Sequence, residues 1–83
     1  MKKLYTIKDL KAEINLNPVV FRNSTEAIRE FETICKDPQT QMGKYPKDFV
    51  IIEIASWDDE NGVIEPKDPM VLASGADFLD NID

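Results

Sequence analysis

Apolar and polar positions alternate along this chain with two different periods, and the changes of period mark its elements. Over Leu4 to Asp9 the period is two. Tyr5 and Ile7 share one face, with Thr6 and Lys8 on the other, which is a strand pattern. Leu10 to Asn15 is polar and mixed and turns the chain. Pro18-Val19-Val20-Phe21 is rich in β-branched and aromatic residues and reads as a second strand. Pro18 has no N–H for a ladder, so it belongs at a strand start or an edge. From Ser24 to Lys36 the period becomes helical. Ala27, Ile28, Phe31, Ile34 and Cys35 form one apolar stripe. Asn23 is placed to cap this helix, with Glu26 three residues later to close a capping box. Glu32 and Lys36 form a favourable surface pair, and Asp37-Pro38 ends the helix, because proline disfavours a helical residue before it.

Residues 37–47 are polar, contain Pro38, Gly43 and Pro46, and read as a loop. Phe49 to Trp57 is a strong strand with apolar residues on both faces: Phe49, Ile51, Ala55 and Trp57 on one, Val50, Ile52 and Ile54 on the other. Such a strand wants cover on both sides. The helix supplies one cover, and the C-terminal segment or a second subunit the other. Asn61-Gly62 signals a hairpin, from which Val63-Ile64-Glu65 returns as a short strand halted by Pro66. Beyond Pro69 no period dominates, although Met70 to Ala73 can pack on a sheet before Ser74-Gly75 breaks the pattern. The expected architecture is α+β: a small antiparallel sheet in the order β-β-α-β-β with one amphipathic helix packed on it. It forms a single domain over 1–75, followed by an acidic C-terminal tail over 76–83.

Eighty-three residues suffice for one domain of marginal stability. No disulfide can help, since Cys35 is the one cysteine, and self-association is the usual remedy, so a homodimer is expected. Met1-Lys2-Lys3 starts like a signal peptide, but Asp9, Lys11 and Glu13 arrive before an apolar core can form. No stretch is long and apolar enough for a bilayer. These features predict a protein of the cytoplasm with no membrane partner. Charge divides the chain: residues 1–47 carry nine Lys/Arg and six Asp/Glu, a net of +3, and residues 48–83 carry one Lys and ten Asp/Glu, a net of −9.

Catalytic chemistry finds little support. Histidine is absent, which removes the commonest general base and transition-metal ligand. One cysteine cannot build a zinc site, three scattered glycines cannot cradle a phosphate, and Asp58-Asp59-Glu60 lacks the spacing of a calcium loop. Cys35 lies on the core side of the helix, as a structural thiol does. No enzyme, cofactor, metal or small-molecule substrate is expected. Two candidate surfaces remain. Lys2, Lys3, Lys8, Lys11, Arg22, Lys44 and Lys47, with Tyr5, Phe21 and Tyr45 near them in sequence, could bind single-stranded nucleic acid by charge and stacking. The alternative is that the lysines edge a sheet and the aromatics fill the core. In the tail, Phe78, Leu79 and Ile82 alternate with acids including Asp77, and could dock on a protein groove. The alternative there is a frayed end, or a Phe78 that closes the protein's own core.

The order and spacing of several short motifs resemble a known family. They are Lys3-Leu4-Tyr5, Asp9-Leu10-Lys11-Ala12, Pro18 to Phe21, Glu26-Ala27-Ile28-Arg29-Glu30-Phe31, Asp37-Pro38, Tyr45-Pro46-Lys47-Asp48-Phe49, Trp57 to Gly62 and Leu72 to Phe78. Together the chain resembles the small non-structural protein of gokushoviruses, single-stranded-DNA phages of the microvirus group. The resemblance implies an accessory role in genome replication or packaging, at the switch to single-strand synthesis, in the host cytoplasm. It transfers no functional residue. Three modes of action fit: an adaptor that contacts a phage or host replication or capsid-assembly protein, a single-stranded-DNA binder, or a scaffold of assembly. The acidic composition favours the adaptor.

Overall fold

The computed structural model describes residues 1–79. Ile82 of the tail, with the acids around it, lies outside the described residues. Five strands form one antiparallel sheet: β1 (Lys2–Asp9), β2 (Ile14–Asn15), β3 (Val19–Phe21), β4 (Phe49–Asp58) and β5 (Val63–Ser74). β1 and β4 pair along their whole lengths, and β5 adds to the far side of β4. β2 and β3 follow one another along the outer side of β1, Asn15 opposite Lys8 and Val19 opposite Tyr5. The helix α1 (Ser24–Cys35) crosses one face of the sheet. Its stripe, Ala27, Phe31 and Cys35, is buried against Tyr5, Phe49, Ile51 and Ala73, with Ile28 packed beside it. The antiparallel sheet with one main helix is therefore the expected class.

Asn23 caps α1 as its position predicts, its side chain accepting from the Glu26 N–H. The reciprocal arm differs. Glu26 accepts from the backbone N–H of Arg22 and from its guanidinium, one residue earlier than a capping box requires. Glu26 is thus held by both the backbone and the side chain of Arg22.

Three other expectations are corrected. The loop over 37–47 contains a one-turn helix α2 (Gln41–Lys44), capped by the Thr40 hydroxyl, and leads into a 3-10 turn over Pro46–Asp48. β5 does not stop at Pro66 but continues to Ser74. The ladder absorbs Pro66 and Pro69 by shifting register between Pro66 and Met70, and the strand is at the sheet edge, where a missing N–H costs nothing. Among the described residues, the end of the C-terminal segment lies on the α1 side. Its 3-10 turn, Gly75–Phe78, packs on the α1 side, with Phe78 edge-on to Phe31 at 5.9 Å. A side chain at Gly75 would run into the carbonyl of Pro46, so this packing needs glycine. On the helix-free face the chain covers itself in part. The Thr6 hydroxyl donates to Leu16 O at 2.7 Å, and Thr6 and Ile52 are buried near Leu16 and Pro18.

One turn design follows both β1 and β4, leading to β2 and β5 respectively. Asp9 accepts from the N–H groups of Lys11 and Ala12, and its carbonyl from Glu13 N–H. Asp58 accepts from Glu60 and Asn61 in the same way, and its carbonyl from Gly62 N–H. Each turn ends on a left-handed residue, Glu13 at φ 60° and Gly62 at φ 71°. Asn61-Gly62 thus closes a four-residue loop rather than forming a two-residue turn.

Two outcomes follow for stability. Phe31→Ala, which empties the centre of the core, should cost about 3–5 kcal/mol in denaturant unfolding, and an unchanged midpoint would remove Phe31 from the core. Glu13→Gly relieves a left-handed side chain and should add about 1 kcal/mol, whereas Gly62→Ala should destabilise.

Candidate functional site

The structure divides the seven basic candidates among several places. Lys3 and Lys67 both point at Glu53, a carboxylate in the middle of β4 that is only 3% exposed. Lys2 pairs with Asp59 of the hairpin at 3.3 Å, and Arg22 with Glu26 at 2.9 Å. Lys8 borders a hollow on the helix-free face with Thr6, Ile52 and Pro69. The remaining three meet at the opposite end from the hairpin. Lys11 shares a hollow with Tyr45 and Asp48, and Lys44 and Lys47 share the next one with Tyr45, Pro46 and Leu79. The aromatic partners also separate. Tyr5 is buried, edge-on to Phe21, while Tyr45 stands 54% exposed among the lysines.

The tail candidates divide too. Asp77 completes a capping box with Ser74, accepting its backbone N–H at 2.9 Å, and Phe78 packs into the core. Leu79 is 43% exposed and faces Lys44 and Lys47. The end of the molecule around Tyr45 therefore gathers members of both candidate sets: Lys11, Lys44, Lys47 and Leu79.

Sequence reasoning missed Glu53. It is the single acid inside an apolar strand, at the parity of Ile51 and Ala55, and that position was its signal. A buried carboxylate without partners would be prohibitively costly. Here the hydrogen bond from Lys67 holds its pKa below the ordinary range against the opposing effect of burial, with Lys3 helping. The three residues join β1, β4 and β5, and Lys67 lies within the irregular stretch of β5 between its two prolines. Glu53 thus anchors the irregular strand.

Other polar groups have structural explanations. Hydrogen bonds from Asn61 hold Asp58 below its ordinary range, as suits a turn residue. Burial, reinforced by nearby Glu32, pushes the Cys35 thiol up to about 11, so it is a poor nucleophile at neutral pH. Among the described residues no group of three acidic, cysteine or histidine side chains is placed to hold a metal ion, and no helix is long and apolar enough to cross a membrane. The most apolar concavity, about 430 Å³, lies elsewhere, between α1 and β3.

Comparison with known proteins places the chain in a family. The model of the family described as Phage ORF5 protein matches residues 2–78. No curated protein and no solved structure matches significantly.

The depressed Glu53 pKa has a definite sign. Its contribution to stability is fully present above the unfolded carboxylate pKa, about 4.3, and is lost as pH falls through the lower folded value. Melting temperature should therefore drop on acidification, and Glu53→Gln should flatten that part of the profile. Lys67→Met should destabilise more than Glu53→Gln at neutral pH, because it strips a partner from a charge that stays buried. Equal pH profiles for wild type and Glu53→Gln would contradict the assignment.

Proposed function

The chain belongs to the Phage ORF5 protein family, and from that premise we propose that it is an accessory protein of phage genome replication or packaging, acting in the host cytoplasm as an adaptor between proteins. The observation that carries this reading is the end of the molecule around Tyr45. Two large side chains, Tyr45 and Leu79, are exposed there among Lys11, Lys44 and Lys47, beside the start of the acidic tail. Apolar anchors ringed by charge are what a protein contact needs, the anchors for affinity and the charges for steering and register. Three basic residues that a nucleic-acid reader would use, Lys2, Lys3 and Arg22, are instead engaged with Asp59, Glu53 and Glu26. The partner in this reading is a replication or capsid-assembly protein of the phage or its host, and the adaptor works as a homodimer.

A second reading has one observation in its favour. An exposed tyrosine beside three lysines is also the minimal platform for a stacked base. Salt separates the two. Single-stranded DNA bound through phosphates loses affinity with a log–log slope of about −0.7 per phosphate contact, and an adaptor contact built on Tyr45 and Leu79 falls far less.

The chain truncated after Leu79 and the variant Tyr45→Ala test the proposal by pull-down from infected cells. Both should keep the wild-type melting temperature. Tyr45→Ala should lose the partner, and the truncation should weaken its capture. Retention of the partner by both variants, or a steep salt dependence together with oligonucleotide binding, would overturn the adaptor reading.

A further inference from the structure

The two outer edges of the sheet are protected very differently. β5 is long, but Pro66, Pro69, Lys67 and an irregular register interrupt its outer edge, and these are the usual defences against added strands. β3 has no such interruption. It pairs only with β1 among the described strands, and Val19 and Val20 are exposed. Its defence is brevity, three residues between Pro18 and the cap of α1.

Beside this edge lies the apolar groove. The floor is Tyr5, Ile7 and Ile51. One wall is Leu16, Val19 and Phe21, and the other is the flank of α1 at Phe31 and Ile34. It exists because α1 is anchored through Ala27, Phe31 and Cys35, while the chain beyond β1 forms only short strands that do not close against the helix. The one charged residue on the groove is Glu30. It is exposed and takes part in none of the ion pairs that engage Glu26, Glu32 and Glu53.

We propose that the groove between α1 and β3 receives an extended, basic and apolar segment of a partner protein, which adds as a strand to β3. An incoming strand would satisfy the open backbone groups of β3, and its alternate side chains would lie on the α1 side of the sheet, over the groove. Three residues of pairing provide few hydrogen bonds, so affinity comes from filling the groove and selectivity from Glu30. A lysine or arginine of the segment meets that carboxylate. The same charge disfavours an acidic segment as the occupant. The inference rests on the reading that this protein works through protein contacts, and names the chemistry of one such contact on a surface separate from Tyr45.

Panning a randomised peptide-display library on the full chain, then titrating a selected synthetic peptide into isotope-labelled protein, tests it. Selected peptides should alternate apolar with basic residues and slow hydrogen exchange at Val19 to Phe21. Glu30→Lys, on the exposed face of α1, should keep the melting temperature, weaken these peptides about tenfold and favour acidic ones. Val19→Asp, at the groove wall, should abolish binding. The proposal is overturned if no peptide is selected, if binding is indifferent to Glu30→Lys, or if protection falls on another surface. It is also overturned if protection of β3 appears without peptide and rises with protein concentration, since a second copy then fills the edge. A groove that fails while Tyr45→Ala still loses the partner leaves the adaptor reading standing, and the converse result separates them the other way.

Discussion

The helix can lie on the sheet only because β4 presents Phe49 and Ile51 on one face while both of its edges are hydrogen-bonded, to β1 and to β5. Phe31 and Tyr5 close over this strand, and Phe78 closes over Phe31. Among the described residues one buried cluster forms the core, so damage here has little to compensate for it. The strand also carries the costliest group in the fold, Glu53, and holds it by recruiting a lysine from each neighbour. Core packing and the buried ion network therefore secure the same three strands, β1, β4 and β5.

This arrangement shapes where function can reside. Lys2, Lys3 and Arg22 each lie beside an acid, Asp59, Glu53 and Glu26 respectively. The strand pairing then sends the acidic hairpin to one end and Lys11, Lys44, Lys47 and Tyr45 to the other. The division of charge between the halves of the sequence consequently does not become a division between two faces.

The fold was legible wherever a local period met a local stop signal. α1 was readable from its stripe, its Asn23 cap and Pro38, and β4 from its unbroken apolar run. β5 was misread because Pro66 is a reliable breaker only for strands that need every N–H, and nothing local announces that a strand will be at an edge. α2 was missed because one turn of helix has no period to detect. Of the candidate sites, the sequence supplied the members but not the grouping. Lys11, Lys44 and Leu79 are far apart in the chain and meet only through the pairing of β1 with β4 and the return of the chain after β5.

By itself the sequence determined the class of the fold, the helix and its buried stripe, the central strand and the absence of histidine chemistry, because each depends on residue type and short-range spacing. The tertiary structure decided which charges are neutralised internally, which aromatic ring is buried and which exposed, and which sheet edge stays open beside a groove. Those outcomes depend on residues far apart in sequence arriving within a few ångströms of one another, and short-range spacing carries no information about that.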